Sequence, residues 1–256
     1  EIIVVIDGEN EPLQMFVRAC LEGYNFHDFR ILVNKRNQGI GYSLLKAQNI
    51  ARGEFIARID DSDIWMTNKL ALQVRVIKSR RNVGLVGTSW FDSGDLNFKI
   101  RSLSYIKRKL SQFFGVRFLL LIGVNIIPHS SVLFRNLTDF QYEVSNKLSE
   151  DFDLWLRFLS SFNIEFIDEP LIYYRHKAGS VSKSNEVEMR INSLETLLDS
   201  EVFQRQMLVG DFLRDQLRRR FRSGRFLNLR FRTVYFFCQF VLALIFLLSA
   251  FFKVNR

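Results

Sequence analysis

Cysteine, proline and histidine are scarce: two, three and three in 256 residues. Cys20 and Cys238 stand far apart and neither has the spacing of a metal ligand, which excludes a disulfide framework and a thiolate zinc site and fits a reducing compartment. Internal repeats and low-complexity stretches are absent, and no secretory signal peptide is visible. The chain opens at Glu1 inside an apolar run, so residues upstream are expected to have been cut away.

What is present is an ordinary globular composition, 48% hydrophobic and 25% charged, long enough to bury a substantial core. Phe is frequent at 26, with many near the C-terminus. The net charge of +9 is concentrated: residues 205–232 hold nine arginines against Asp211 and Asp215, a surplus of seven. The remainder is close to neutral, which argues against a nucleic-acid surface on the main domain. Residues 233–252 carry no charge and only Gln239 as a strongly polar side chain, with Arg230 and Arg232 before them and Lys253 and Arg256 after. That length matches the hydrocarbon core of a bilayer. One membrane-spanning helix is therefore expected there, with the basic stretch on the cytosolic side.

Strand-like and helix-like stretches alternate through the first half. Residues 1–6, 29–33, 54–59 and 84–88 read as strands, and residues 11–22, 39–51 and 68–79 as helices. This alternation predicts an α/β fold with a mostly parallel sheet flanked by helices. Residues 102–123 read as a helix, 132–134 and 164–167 as further strands, and 151–161, 186–198 and 201–222 as helices. In such sheets ligands bind beyond the carboxyl ends of the strands. The run Asp60-Asp61-Ser62-Asp63 falls there, directly after a strand.

Carboxylates this close repel one another, and a fold accepts that most readily when a cation is present. Hard oxygens suit magnesium or manganese, bound through one or two carboxylates plus substrate phosphates. A polar loop capping the next helix explains the same residues without a ligand. A calcium EF-hand is excluded, because its Gly and Glu positions are unfilled.

The stretch NQGIGYSLLKAQNIARGEFIARIDDSDIW, from Asn37 to Trp65, resembles the family 2 glycosyltransferases of GT-A fold. The opening EIIVVIDG is similar to that family's second strand. HSSVLFR at His129, EDFDLWLRF at Glu150 and EPLIYYRHKAGSVS at Glu169 follow in the family's order. The resemblance implies an inverting transferase of the bacterial cell-surface polysaccharide type, using a nucleotide-sugar donor and a divalent metal, magnesium or manganese. It places Asp60 and Asp63 on the metal and Asp7, Arg58, Asp60 and Asp61 on the donor. It puts Asp151 at the general-base position, His129 and Glu150 on the acceptor side, and Arg175, His176 and Lys177 in the diphosphate loop. The implied organisation is a GT-A domain over residues 1–182, a helical, basic, membrane-proximal extension over 183–232 and a transmembrane helix over 233–252. The implied partners are a lipid-linked or glycan acceptor and the cytoplasmic membrane, with the catalytic domain facing the cytosol and no nucleic acid.

Several positions depart from the family. Ser62 stands where a carboxylate is usual, Ile6-Asp7 replaces a pair of acids, Leu45 replaces an Asn, and His176 comes one residue early. The first strand and its nucleotide-contacting loop have no counterpart, so a gap or an exposed sheet edge is expected near the nucleotide. These departures keep a second reading open, a degenerate, membrane-anchored relative that binds without catalysing. A third class, sugar-nucleotide synthesis, would want a Gly-rich phosphate loop at the first strand, and none is present.

Overall fold

In the computed structural model, residues 1–92, 115–121, 123–145, 148–175 and 186–206 are described. Strand β1 (Ile2–Asp7) is followed by helix α1 (Glu11–Gly23), strand β2 (Phe29–Asn34), helix α2 (Ile40–Ile50) and strands β3 (Phe55–Ala57) and β4 (Ile64–Trp65). Helix α3 (Lys69–Ser79), strand β5 (Val83–Asp92), helix α4 (Val116–Leu121), a 3-10 turn (His129–Ser131) and strand β6 (Leu133–Arg135) come next. Helix α5 (Glu150–Ser161), the long strand β7 (Asn163–Tyr174) and helices α6 (Glu186–Asp199) and α7 (Glu201–Gln206) complete the described elements.

The α/β alternation is as expected, but the sheet is mixed and not mostly parallel. Strands β1 and β2 pair in parallel as a two-stranded sheet, and the others form a second sheet in the order β3-β6-β5-β7-β4. Only β5 and β7 run parallel there; β3 with β6, β5 with β6, and β4 with β7 are antiparallel. Period-2 patterning fixes which face a strand buries but not the direction of its neighbour, so the reversal at β6 and β4 is invisible in the alternation. Within the described residues β1 and β3 each end a ladder on one side, because the two sheets share no strand pairing.

Element boundaries shift where tertiary pairing overrides local pattern. Strand β5 runs to Asp92 and β7 to Tyr174, past the expected ends at 88 and 167, because the two pair along their whole length through register shifts near Ser89. Conversely, β3 keeps only the three residues that face β6. Of the expected helix at 102–123, α4 forms the described part, and Gly115 and Gly123 on either side have positive φ and are not helical. Residues 102–114 and 122 lie outside the described residues. So do residues 207–232 and the expected membrane segment at 233–252. Among the described residues no helix is long and apolar enough to cross a membrane.

One large core lies between the five-stranded sheet and α4, α5, α6 and α7. Trp155, Phe152, Phe158, Phe134, Leu197 and Phe203 are buried in it. The amphipathic pattern of α5 explains its role: Phe152, Leu154, Trp155, Leu156, Phe158 and Leu159 are all buried, and Glu150, Asp151 and Asp153 crowd its first turn. Acids in that turn favour the helix dipole. Gly84 lets α5 approach β5, since a Cβ there would lie 2.7 Å from the Phe158 ring and from Phe162. This packing aims the acidic end of α5 at the end of the sheet where the Asp60–Asp63 loop emerges.

Candidate active site

The loop from Asp60 to Asp63 links β3 to β4, and a turn fixes it through the Asp63 N–H donating to the Asp60 carbonyl at 3.2 Å. Arg58, only 9% exposed, donates from both terminal nitrogens to the two carboxylate oxygens of Asp60. A planar guanidinium matches that bidentate geometry and stays charged when buried. Ser130, in the 3-10 turn, donates to Asp60 Oδ2 at 3.1 Å and accepts from the Asp60 N–H at 2.9 Å. Asp60 is thus held rigidly from two sides.

Asp63 is buried and differently engaged. Its Oδ1 accepts the Arg175 N–H at 2.9 Å, which ties the end of β7 to the loop. Its Oδ2 is buried with no hydrogen-bond partner. Burial raises the Asp63 carboxyl above its usual range; the nearby Ser130 hydroxyl, whose hydrogen bond goes to Asp60, and the Arg175 N–H act in the opposite direction without cancelling it, and Asp60 adds repulsion. A buried, unpartnered carboxylate oxygen is expensive and fits a cation. With Asp60 it gives two hard carboxylates, a donor set suited to magnesium or manganese bound partly by substrate phosphates. Among the described residues no group of three or more His, Cys, Asp or Glu could hold a metal. Asp61 is exposed at the loop tip.

The second half of the site is the start of α5. Asp151 accepts the Phe152 N–H at 2.6 Å on Oδ1 and the Asn125 amide at 3.0 Å on Oδ2. Burial raises its carboxyl above the ordinary range, partly offset by the Phe152 N–H, the charge of Arg58 and the Asn125 amide. Glu150 is 7% exposed, its Oε2 has no partner, and burial followed by repulsion from Asp151 pushes its carboxyl up to about 7. The charge of Arg58 acts on Asp63, Glu150 and Asp151 together, and Asp60 acts on Glu150. Two acidic groups some ninety residues apart in sequence therefore share one electrostatic environment around a single arginine.

A pH dependence of stability follows. The Glu150 carboxyl titrates near 4.5 when unfolded and near 7 when folded, so the folded state binds more protons between those values. Its contribution to stability is complete below pH 4.5 and is lost as the pH rises to 7. Glu150→Gln is therefore expected to raise stability at pH 8 by up to about 3 kcal/mol, and to change it little at pH 4, in urea titrations with a chelator present.

The other sequence candidates are placed as follows. Asp7 ends β1 and organises the loop after β2: Oδ1 accepts from the Asn34 amide and the Gln38 N–H, and Oδ2 from the Gly39 N–H. Burial acts to raise its carboxyl, but these donors outweigh it and hold the group below the usual range. Gly39 adopts φ +90, a left-handed value that glycine tolerates, which lets its N–H turn to Asp7 at the start of α2. His129 sits beneath the Asp60 loop, 2.8 Å from the Tyr142 hydroxyl through Nε2 and edge-on to Trp155. Burial, with the nearby Arg58 charge, pushes its imidazole well below the ordinary value, so it is neutral. The Arg175 backbone reaches Asp63 while its side chain is exposed. His176 and Lys177 lie outside the described residues.

Sequence reasoning passed over Ser130 as a partner of Asp60, Asn125 as a partner of Asp151, and the pair Lys69–Gln73. For Ser130 and Asn125 no local pattern marks the contact. Lys69 and Gln73 did leave a trace: polar residues at i and i+4 on one face of a helix directly after the acidic loop.

Residues 1–140 match the family model described as Glycosyl transferase family 2. The chain belongs to that family. It is 28% identical over 180 residues to an uncharacterized glycosyltransferase of Methanocaldococcus jannaschii, covering 68% of this chain and 59% of that protein. It is also 28% identical over 197 residues to an uncharacterized glycosyltransferase of Rickettsia typhi, covering 73% and 59%. The chain thus spans about three fifths of the length of these relatives. Its fold is shared with S. aureus TarS 1-349, with a TM-score of 0.56 at 16% identity over 90% of this chain and 63% of that 1-349 chain. It is shared too with the mannosyltransferase PcManGT from Pyrobaculum calidifontis, solved in complex with GDP-Man and Mn2+, with a TM-score of 0.57 at 13% identity over 98% and 66%. The GT-A-like fold of this family 2 chain is therefore established, with the mixed sheet described above.

Proposed function

We propose that this chain carries the donor site and the catalytic base of a glycosyltransferase that moves a sugar from a nucleotide-diphosphate donor to an acceptor hydroxyl with inversion. The observation that carries this reading is the 3-10 turn that joins the two acidic groups: Ser130 binds Asp60, and His129 beside it packs edge-on against Trp155 of α5, the helix that opens with Glu150 and Asp151. Perturbed carboxyls gathered in one place favour a catalytic role over a structural one. Asp63 and Asp60 would hold a magnesium or manganese ion, which when bound neutralises charge on the leaving diphosphate. Family membership and the GDP-Man and Mn2+ complex of PcManGT support the donor class and the metal.

Asp151 serves as general base. Its raised carboxyl is a better proton acceptor than an exposed aspartate, while the Phe152 N–H and Asn125 amide fix its orientation. The acceptor oxygen forms a bond to the anomeric carbon as the bond from that carbon to the diphosphate oxygen breaks. The acceptor proton passes to Asp151, the electron pair leaves with the nucleoside diphosphate, and attack from the opposite face inverts the centre.

The acceptor we infer is lipid-linked or a growing surface polysaccharide, and the site we infer is the cytosolic face of the cytoplasmic membrane. The support is the arginine-rich stretch at 205–232 followed by the charge-free stretch at 233–252. Calorimetry with UDP and GDP, with and without manganese, tests the donor reading. Saturable binding that needs the metal is expected; no binding of either nucleotide would overturn it.

A further inference from the structure

Lys69 is the feature of this structure that the catalytic account does not use. It opens α3 six residues after Asp63, is 0% exposed, and has no carboxylate among the partners described for it. Its Nζ donates to Gln73 Oε1 at 2.7 Å and lies 4.2 Å from the centre of the Trp65 ring. Burying an ammonium in this way is costly, and burial pushes the group down to about 7. That cost calls for a reason beyond filling space.

The contacts around it point to one. Gln73 spends both amide protons on main-chain carbonyls, Val86 at 2.7 Å in β5 and Ser131 at 2.8 Å in the 3-10 turn. With its oxygen taken by Lys69, the Gln73 amide is fixed in the orientation that holds Ser131. Trp65, whose face meets the ammonium, donates its indole N–H to the Ser130 carbonyl at 2.8 Å. Two arms thus leave Lys69, one through Gln73 and one through Trp65, and end on adjacent carbonyls of a single turn. The hydroxyl of Ser130 in that turn binds Asp60 and also acts on Asp63.

We propose that Lys69 is a positioning residue: a buried amine that braces the Ser130–Ser131 turn through Gln73 and Trp65, so that Ser130 presents Asp60 and Asp63 in the geometry that takes the divalent metal. The proposal rests on the donor-site reading above. It differs from a packing role, because a packing role is met by any side chain of the right volume. What is needed here is a side chain that donates to the Gln73 oxygen while lying on the Trp65 face. Partners one step removed from a metal ligand typically change metal affinity by about 10- to 100-fold.

The test measures manganese affinity by electron paramagnetic resonance on the full chain, with UDP or GDP present, for wild type, Lys69→Met, Trp65→Phe and the double variant. Trp65→Phe keeps an aromatic face for Lys69 and removes only the indole N–H, so the test stands even if Lys69→Met folds poorly. Each single substitution is expected to weaken manganese binding about 10- to 100-fold. The double variant is expected to lose little more than Lys69→Met alone, because Lys69 heads both arms and its loss already includes that of the Trp65 arm. The urea midpoint of Lys69→Met in chelator is expected to fall modestly, because Gln73 Oε1 is left buried without its donor, and manganese affinity is read on the folded fraction. Variants that bind manganese as wild type does, or losses that multiply in the double variant, overturn the proposal. Wild type that binds no manganese overturns the donor-site reading and this proposal with it.

Discussion

Asp151→Asn is expected to lower kcat by about 10²- to 10⁴-fold, the range for loss of a general base, while leaving donor affinity within a few-fold of wild type. The substitution keeps the shape of the side chain. A carboxamide oxygen can still accept the Phe152 N–H, so α5 keeps its first turn and the core beneath it is undisturbed. What disappears is a carboxylate that burial has made a better base and that Asn125 and Phe152 orient. Because Asp151 lies on α5 and not on the Asp60–Asp63 loop, the donor should bind nearly as before. Turnover and calorimetric donor binding, measured on the same preparation, separate the two effects. Equal losses in both would mean that Asp151 belongs to the donor site.

Asp63→Asn should do the opposite. It retains an oxygen for the Arg175 N–H, and it removes the charge from the one carboxylate of the loop whose buried oxygen has no partner. Metal-dependent nucleotide binding is expected to fall by at least about 100-fold, since the ion loses one of the one or two carboxylates it ordinarily uses. Stability moves differently. The raised carboxyl means that the ionised form is disfavoured in the folded state, so its contribution is present at low pH and lost as the pH rises through the folded value. At pH 8 in chelator the variant should be at least as stable as wild type. A loss of binding without a loss of stability identifies a residue retained for function.

The acidic loop and the start of α5 were both legible before any coordinates, because each carries its acids in a short run with a recognisable context. The loop follows a β-branched strand, and α5 shows Phe152, Trp155, Leu156 and Leu159 at helical spacing. Their meeting was not legible from periodicity. It depends on Gly84 admitting α5 against β5 and on the Ser130 turn, which binds Asp60 while its neighbour His129 packs edge-on against Trp155 of α5; neither leaves a periodic trace. Strand direction was lost for a related reason: alternation reports faces, whereas the antiparallel pairing of β6 and β4 depends on partners far away in the chain.

Asp7 shows the same limit at a single residue. Its place at the end of a strand marks it as a donor-binding candidate, while the hydrogen bonds it accepts from Asn34, Gln38 and Gly39 are contacts that only the folded loop reveals. Lys69 shows the converse. A lysine after an acidic loop reads as solvated helix surface, and only its burial against Trp65 and Gln73 distinguishes it.

The central claim is that the Asp60–Asp63 loop and Asp151 serve one sugar-transfer reaction. The most direct measurement is release of nucleoside diphosphate from a panel of UDP- and GDP-sugars with manganese present, comparing the full chain with Asp63→Asn and Asp151→Asn. The account predicts release from at least one donor, dependent on manganese, with Asp63→Asn losing donor binding and Asp151→Asn losing turnover while still binding. Release that persists in both variants, or no release from any donor although the protein binds it, would contradict the account.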